Sequence, residues 1–194
     1  MPEPVTLRGR HVVLEPLRPE HAPELWPAAS DRELWRYMTF DVVDPADLSA
    51  WIAKRLEAAA AGTALPFLQR DAKTGQAFGS TSIFDMTPFK AMEVGHTWIG
   101  PSHRRTAANT ETKLLVLGHC FGALGAIRVQ LKSDARNVRS RAAIERLGAT
   151  FEGILRNQML LPDGHKRQAA LYSITDAEWP AIRARLEAKL AAHA

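Results

Sequence analysis

Cysteine is almost missing from this sequence. Cys120 is the single cysteine in 194 residues, so a disulfide within the chain and a cysteine-rich zinc site are both excluded. The seven histidines show no spacing that would put two of them on one helix face, so we expect no metal site. The low cysteine content favours a reducing, cytoplasmic location.

Long apolar runs are missing too. No stretch approaches the roughly 20 apolar residues that a membrane helix needs, and residues 1–4 have neither the basic nor the apolar part of a signal peptide. We therefore expect no membrane partner. Low-complexity tracts and internal repeats are also absent. With 46% hydrophobic and 24% charged residues, the sequence predicts one folded domain spanning residues 1–194.

Charge is unevenly spread, although the formal net charge is only +4. Residues 101–141 carry eight basic and two acidic side chains, whereas residues 19–57 carry eight acidic and four basic ones. This pattern is compatible with an anionic ligand near the first segment and a cationic ligand near the second. Two solvated surfaces are the alternative, and charge alone favours them.

Strand and helix signals alternate along the chain. A strand over residues 93–100, a helix over 109–124 and a strand over 127–132 imply a parallel strand pair. Two hairpins, one around residues 71–75 and one around 162–164, imply antiparallel pairing. The sequence therefore predicts a mixed α/β fold, mostly antiparallel, with helices on both faces. At the two ends we expect one strand over 7–17 and a last helix capped by Asp176.

The strongest local feature is a basic loop between the central strand and the helix after it. Arg104 and Arg105 lie just before a helix N-terminus, where unpaired N–H groups and roughly half a positive charge favour phosphate. Arginine adds bidentate donors. An ordinary capped surface helix with exposed arginines is the alternative.

Three further motifs extend this pattern: Glu93-Val94-Gly95 starts the central strand, Asn137-x-x-Ser140 opens the next helix, and residues 147–149 read Leu-Gly-Ala. In order and spacing the chain resembles the GNAT superfamily of N-acetyltransferases, in its Rim-type branch of ribosomal-protein N-terminal acetyltransferases. The resemblance runs from the first strand nearly to the end of the chain. It implies a single-domain GNAT-like sheet with a central, splayed parallel pair.

The phosphate loop departs from the family pattern, which is Arg/Gln-x-x-Gly-x-Gly/Ala. Residues 104–109 read Arg-Arg-Thr-Ala-Ala-Asn, so no glycine remains. Alanine keeps its N–H and suits a first helical turn, whereas Asn109 is bulkier but could cap the helix or bond a phosphate. A catalytically silent acyl-CoA-binding or sensor protein of the same fold therefore stays as an alternative.

The resemblance implies acetyl-CoA as co-substrate, with its pyrophosphate on the basic loop and its pantetheine arm between the splayed strands. Asn137 would bond the arm and Ser140 the departing thiolate; a plain helix cap and a neutral first-turn residue are the alternatives. The implied cofactor-binding residues are Trp98, Ile99, Arg104, Arg105, Thr106, Ala107, Ala108, Asn109, Thr110, Asn137 and Ser140.

Acetyl transfer needs a neutral amine, so a base must take a proton from the acceptor. Glu93 is our first candidate, and a strand-end carboxylate in a salt bridge is its alternative. His96 and Asp85 are the further candidates for the base, and Ser140, near the leaving thiol, is the other catalytic residue expected. Side chains alternate along a strand, so His96 faces away from Glu93 unless a bulge intervenes.

The acceptor is expected to be a protein N-terminus or a small cationic amine. It would enter beside the acidic segment, where one or two of Trp26, Trp35 and Trp51 could line the cleft. A nucleic-acid-associated module is a weaker alternative, because aromatic residues are not interleaved with the lysine and arginine side chains of residues 101–141. We also leave a homodimer open.

Overall fold

The structure is a computed structural model that describes residues 3–192. The strands are β1 (Leu7–Arg8), β2 (Val12–Pro16), β3 (Ala64–Asp71), β4 (Ala77–Phe84), β5 (Ala91–Ile99), β6 (Arg128–Asp134), β7 (Thr150–Leu160) and β8 (Lys166–Thr175). The α-helices are α1 (Ala22–Ala29), α2 (Pro45–Ala60), α3 (Ala108–Phe121), α4 (Val138–Leu147) and α5 (Trp179–Ala191). Short 3-10 turns lie at Pro19–His21, Arg32–Leu34 and Pro101–His103.

All eight strands form one sheet in the order β1-β2-β3-β4-β5-β6-β8-β7. Only β5 and β6 pair in parallel within the described residues, because α3 carries the chain back across the sheet between them. The remaining pairs are antiparallel. The predicted fold class, a mostly antiparallel mixed sheet with one parallel pair, is confirmed.

Helices cover both faces of the sheet, and strand alternation sends neighbouring residues into two separate cores. Phe67 and Phe78 point into a core with α3, α4 and α5. Leu68 and Ala77, their direct neighbours, point into a second core with α1 and α2. No helix within residues 3–192 has the length and apolar character that crossing a membrane requires.

The parallel pair opens after three residues. Pairing runs from Ala91 with Arg128 to Glu93 with Gln130, and both strands then continue without pairing to each other. The predicted splay is therefore present, and Glu93 sits where the gap begins. Backbone groups on the facing edges of the two strands are left available there for a ligand.

Two local expectations were wrong. The strand predicted over residues 7–17 is a hairpin, because the chain turns at Gly9, whose N–H donates to the Val12 carbonyl. Helix α5 has Glu178, not Asp176, at its N-cap position. The Asp176 carboxylate instead accepts from the adjacent Ala177 N–H, while Glu178 accepts from the Thr175 N–H and hydroxyl.

Candidate active site

A cavity of about 1030 Å³ opens where β5 and β6 separate. That volume lies at the upper end of the range for small-molecule sites. Its walls are the second halves of β5 and β6, the loop before α3, the start of α3, helix α4, part of α5 and part of the β7–β8 hairpin. Of the predicted site residues, those that line the cavity are Glu93, His96, Trp98, Ile99, Arg104, Arg105, Thr106, Asn109, Thr110, Asn137 and Ser140.

Glu93 occupies the closed end of the gap, and its residue is only 4% exposed. Its Oε2 accepts hydrogen bonds from Gln130 Nε2 and from Lys132 Nζ, both at 2.8 Å. Burial raises the pKa of the Glu93 carboxyl, and the Lys132 and Gln130 contacts offset only part of that rise. The group is thus a carboxylate whose affinity for a proton is higher than usual.

A bulge changes the direction of His96. Ser80 pairs with Trp98 and Ser82 with Gly95, so β5 carries one extra residue there, and His96 has φ +48°. The His96 ring lies 4.2 Å from the ring of Phe84, the cross-strand partner of Glu93. His96 and Glu93 therefore line the same cavity, which is the exception that the alternation rule allows.

His96 is uncharged at neutral pH. Burial lowers its pKa to about 3, and the positive charges of Arg55, Lys132 and Arg167 add to the effect. Its Nδ1 is buried without a hydrogen-bond partner among the residues that the structure describes. With so low a pKa, the ring is a weak proton acceptor.

Trp98 and Ile99 reach the cavity mainly through the strand they belong to. The Trp98 ring packs at 5.5 Å from the Trp35 ring and 6.0 Å from the Trp51 ring, within the core of α1 and α2. The Trp98 carbonyl accepts from Gln69 Nε2, and the Ile99 carbonyl accepts from Arg104 Nε. Hydrogen bonding to an extended ligand therefore falls to other backbone groups of β5.

The two loop arginines differ. Arg104 is held in place, because its Nη2 donates to Asp31 Oδ2 at 2.6 Å. Arg105 is exposed and has a left-handed backbone, with φ +61°. A non-glycine residue in that region is strained, so the loop carries its strain at Arg105. Ala107, at a glycine position of the family pattern, has an ordinary right-handed backbone with φ −64°.

Helix α3 begins without a side-chain cap. Its N-cap residue is Ala107, which has no side chain able to accept a hydrogen bond. Thr106 Oγ1 accepts from the Ala108 N–H at 3.2 Å, so the N–H groups of Asn109 and Thr110 point out of the first turn. Ala107 and Ala108 do not line the cavity, and Ala108 belongs to the core.

Helix α4 begins in the opposite way. Asn137 is its N-cap residue, and its Oδ1 accepts from the Ser140 N–H at 3.0 Å. The Asn137 oxygen therefore acts as a plain helix cap, which was the alternative to ligand binding. The amide N–H₂ of the same side chain takes no part in the cap and could donate to a ligand.

Lys113 is a cavity residue that sequence reasoning missed. It is buried on α3, and its Nζ donates to Thr97 Oγ1 at 2.8 Å. Burial lowers the pKa of the Lys113 ammonium to about 8. It appears in the sequence as one more base of a basic segment, and no local signal tells it from the exposed ones.

Two segments that lie far apart in the sequence also line the cavity. Tyr37, Met38 and Thr39 come from the loop before α2, and Met159 and Arg167 come from the β7–β8 hairpin. The Arg136 guanidinium lies 5.5 Å from the Tyr37 ring and so links the first segment to the start of α4.

The carboxylates of the acidic segment, residues 19–57, do not line the cavity as expected. The segment's lining residues are Leu34 and the three just named, none of them a carboxylate. Its carboxylates pair with arginines or cap α2 instead, and the residues concerned are Glu20, Glu24, Asp31, Glu33, Asp41, Asp44 and Asp47. Trp35 and Trp51 are buried in the core and Trp26 packs against it, so the tryptophans do not form the cleft wall.

A model of the acetyltransferase (GNAT) domain matches residues 11–150. This chain belongs to the GNAT family. Solved structures agree with this assignment and extend it over the whole chain. The GCN5-related N-acetyltransferase from Brucella melitensis is 30% identical, with a TM-score of 0.89 over 96% of this chain and 86% of that one.

Two other solved structures share this fold. A T. thermophilus protein described as an acetyltransferase is 36% identical, with a TM-score of 0.87 over 98% of this chain and 99% of that one. RimJ from Mycobacterium smegmatis, in complex with CoA-disulfide, is 24% identical with a TM-score of 0.80 over 96% and 95%, and shows the fold alone. No curated protein matches the chain.

Membership makes this GNAT protein an acetyl-CoA-dependent N-acetyltransferase. No cluster of three or more His, Cys, Asp or Glu side chains able to hold a metal is found within residues 3–192. The cavity thus has the N-terminus of α3 and Arg105 in one part of its lining and the buried ionisable groups Glu93, His96 and Lys113 in another.

Proposed function

We propose that this chain transfers the acetyl group of acetyl-CoA to a primary amine by direct attack, and that it belongs to the Rim-type branch. The observation that carries the proposal is the splay between β5 and β6, which has an uncapped helix N-terminus at one end and Glu93 at the other. The branch assignment rests on the sequence motifs, because the Rim-named structures are too distant to carry it.

We assign each part of the co-substrate to the residues whose chemistry fits it. The pyrophosphate lies against the N–H groups of Asn109 and Thr110 and against Arg105, which is exposed and has no ion-pair partner among the described residues. The pantetheine arm lies along β5 towards Glu93, and the Asn137 amide N–H₂ bonds it. Arg104 supports this arrangement by holding the loop to Asp31.

Glu93 serves as the base. The amine nitrogen forms a bond to the thioester carbonyl carbon and the carbon–sulfur bond breaks. The amine proton passes to Glu93, directly or through one water molecule, and the leaving thiolate accepts a hydrogen bond from the Ser140 hydroxyl and takes its proton from solvent. The raised pKa of Glu93 suits this role, whereas His96, with a pKa of about 3, is a poor acceptor.

The acceptor is a primary amine, and a protein N-terminus and a small cationic amine are the two classes proposed from the sequence. A silent acyl-CoA-binding protein is the alternative, which the missing loop glycines favour. Cytoplasmic location and a homodimer also stay predictions, tested by fractionation and by sedimentation of the purified chain.

Acetyl transfer can be tested directly. The chain is incubated with acetyl-CoA and a panel of peptides, polyamines and amino acids, and both free CoA thiol and acetylated amine are measured. We expect thiol release that depends on an amine and matches the acetylated product. CoA binding without any amine-dependent release would establish the silent alternative instead.

A further inference from the structure

Arg167 is a guanidinium without an anionic partner. It lies at the start of β8 and lines the cavity, and no carboxylate of the described residues lies within ion-pair distance of it. Its contact is with the Met159 sulfur, at 3.7 Å from Nη1, and its Nε is buried with no hydrogen-bond partner in residues 3–192. The Arg167 residue as a whole is half-buried, and a charge that is partly removed from water is costly unless an anion meets it.

The neighbouring carboxylates are already occupied by other cations. Glu93 pairs with Lys132 at 2.8 Å, and Asp134, whose side chain is fully buried, pairs with Arg136 at 2.8 Å. Burial lowers the pKa of Arg167, whereas both carboxylates raise it through their charge, but neither contacts it. The positive charge of Arg167 is therefore in excess at this end of the cavity.

A second guanidinium adds to this positive field. Arg55 of α2 lies 5.7 Å from the Trp51 ring, and its Nε is also buried without a partner among the described residues. Its charge lowers the pKa of His96, as the charges of Lys132 and Arg167 do. His96 is neutral and does not offset them. Asp85, which acts on Glu93, is exposed and outside the cavity lining.

From this juxtaposition we infer that the acceptor is a small amine that also carries a carboxylate, and that Arg167 binds the carboxylate while Glu93 faces the amine. The inference rests on the proposed function and names its substrate class. It replaces the cationic acceptor, because among the described residues the only carboxylates lining this end are Glu93 and Asp134, both already paired. Phosphates of the co-substrate are assigned to the α3 end, so they do not satisfy Arg167.

The test compares each amino acid with its own carboxamide as acceptor. The pair differs in charge but barely in shape, and the carboxamide's amine loses its proton more readily, a bias that works against the prediction. We expect kcat/KM to favour the amino acid by about 10- to 100-fold, the range of a charge-assisted hydrogen bond. In R167Q this preference should collapse to within a few-fold, with CoA affinity unchanged.

Arg156→Gln is the matched control. Arg156 is an exposed arginine of the same hairpin and lies outside the cavity lining, so its substitution should keep the preference. A wild-type preference for carboxamides or polyamines, or an unchanged carboxylate preference in R167Q, would overturn the inference.

A binding experiment on the wild-type chain tests the inference without depending on turnover or on the folding of a variant. Calorimetry on the CoA-loaded wild-type chain compares N-acetylated amino acids with their carboxamides. Carboxylate-dependent binding without turnover would contradict the acetyltransferase proposal and support the Arg167 site. Turnover of amines without carboxylate dependence would contradict the site alone, and equal binding with no turnover would contradict both.

Discussion

The polar groups at the two ends of the cavity differ in burial and in pairing. At the α3 end the donors lack side-chain partners: Arg105 is exposed and in no ion pair among the described residues, and the N–H groups of Asn109 and Thr110 have no side-chain cap. At the Glu93 end the ionisable groups are buried and have shifted pKa values, raised for Glu93 and lowered to about 3 for His96. A phosphate needs donors and can stay partly hydrated, whereas a proton acceptor gains strength from desolvation.

This difference predicts a separation of effects. Substitutions at the α3 end should change co-substrate affinity and leave the chemical step alone. Substitutions at the Glu93 end should change the rate of that step with little effect on affinity. Substitutions between the two ends should affect stability more than they affect co-substrate affinity or the rate of the chemical step.

The largest effect is expected for Glu93→Gln. The amide keeps the size of the side chain and an oxygen that can accept from Gln130 and Lys132, although the ion pair with Lys132 is lost. Because the amide cannot take a proton, kcat should fall by about 10²- to 10⁴-fold, the usual range for loss of a general base. Steady-state kinetics together with calorimetry of CoA binding measure both quantities. Glu187→Gln, an exposed salt-bridged glutamate on α5, is the control, and an equal rate in both variants would remove Glu93 from the chemistry.

The next effect is expected for Arg105→Ala. Loss of a charged donor to phosphate should raise the Kd for CoA by about 10- to 100-fold, with kcat at saturation nearly unchanged. Calorimetry at two salt concentrations measures it, since the contribution should shrink with salt. Arg183→Ala on α5 is the control. An unchanged CoA affinity would place the pyrophosphate elsewhere.

Arg104→Ala sharpens the same comparison. Arg104 is bonded to Asp31 and to the Ile99 carbonyl, so its loss should lower the unfolding temperature as well as CoA affinity, unlike loss of Arg105. Thermal unfolding of the two single variants separates the roles. Identical thermal stability in both would show that the Asp31 contact does not hold the loop.

Between the two ends, Lys113 should give the protein a distinctive pH dependence. Its pKa is about 8 in the fold and near 10.4 in an unfolded chain. Between these values the unfolded chain binds the extra proton, so this residue makes stability rise with pH, by roughly 3 kcal/mol in all. Urea unfolding of wild type and Lys113→Met from pH 7 to 10 should show the rise only in wild type. Lys166→Met, at an exposed site, should retain it, and parallel curves for Lys113→Met would contradict the account.

The smallest effect distinguishes the two functions of Asn137. Asn137→Ala removes the cap of α4 and should cost about 0.5–2 kcal/mol of stability. Asn137→Ser keeps a capping oxygen but loses the amide donor, so its stability should stay near wild type while CoA affinity falls by several-fold. Equal CoA affinity in the serine variant and wild type would reduce Asn137 to a helix cap.

Much of the fold was predictable because it rests on local signals. Helical spacing, turn residues and the order strand–helix–strand specify the parallel pair. The resemblance implied that the pair splays, and the structure shows that the splay begins at Glu93. The turn at Gly9 was missed because it depends on Glu111, whose carboxylate accepts N–H groups from Arg10, His11 and Val12. That contact spans about a hundred residues and leaves no local pattern.

The site was less predictable, because burial and pairing decide its chemistry. The bulge that turns His96 towards Glu93, the Lys132 contact on Glu93 and the missing partner of Arg167 among the described residues all come from strand register and side-chain packing. Charge counting likewise predicted an acidic acceptor entry, but most of those carboxylates pair with arginines or cap α2. A count of charges along the chain carries no information about which charges neutralise one another.

The pH profile of kcat, measured at saturating acceptor, tests the central claim most directly, because it reports the groups that titrate in the bound complex. The active form of Glu93 is the carboxylate, so the rate should fall as pH falls through its pKa, which burial places above the ordinary glutamate value of 4.5. His96→Asn should keep this acidic limb, and Glu93→Gln should lose it along with most of the rate. An acidic limb that persists unchanged at full rate in Glu93→Gln would contradict the assignment of Glu93 as the base.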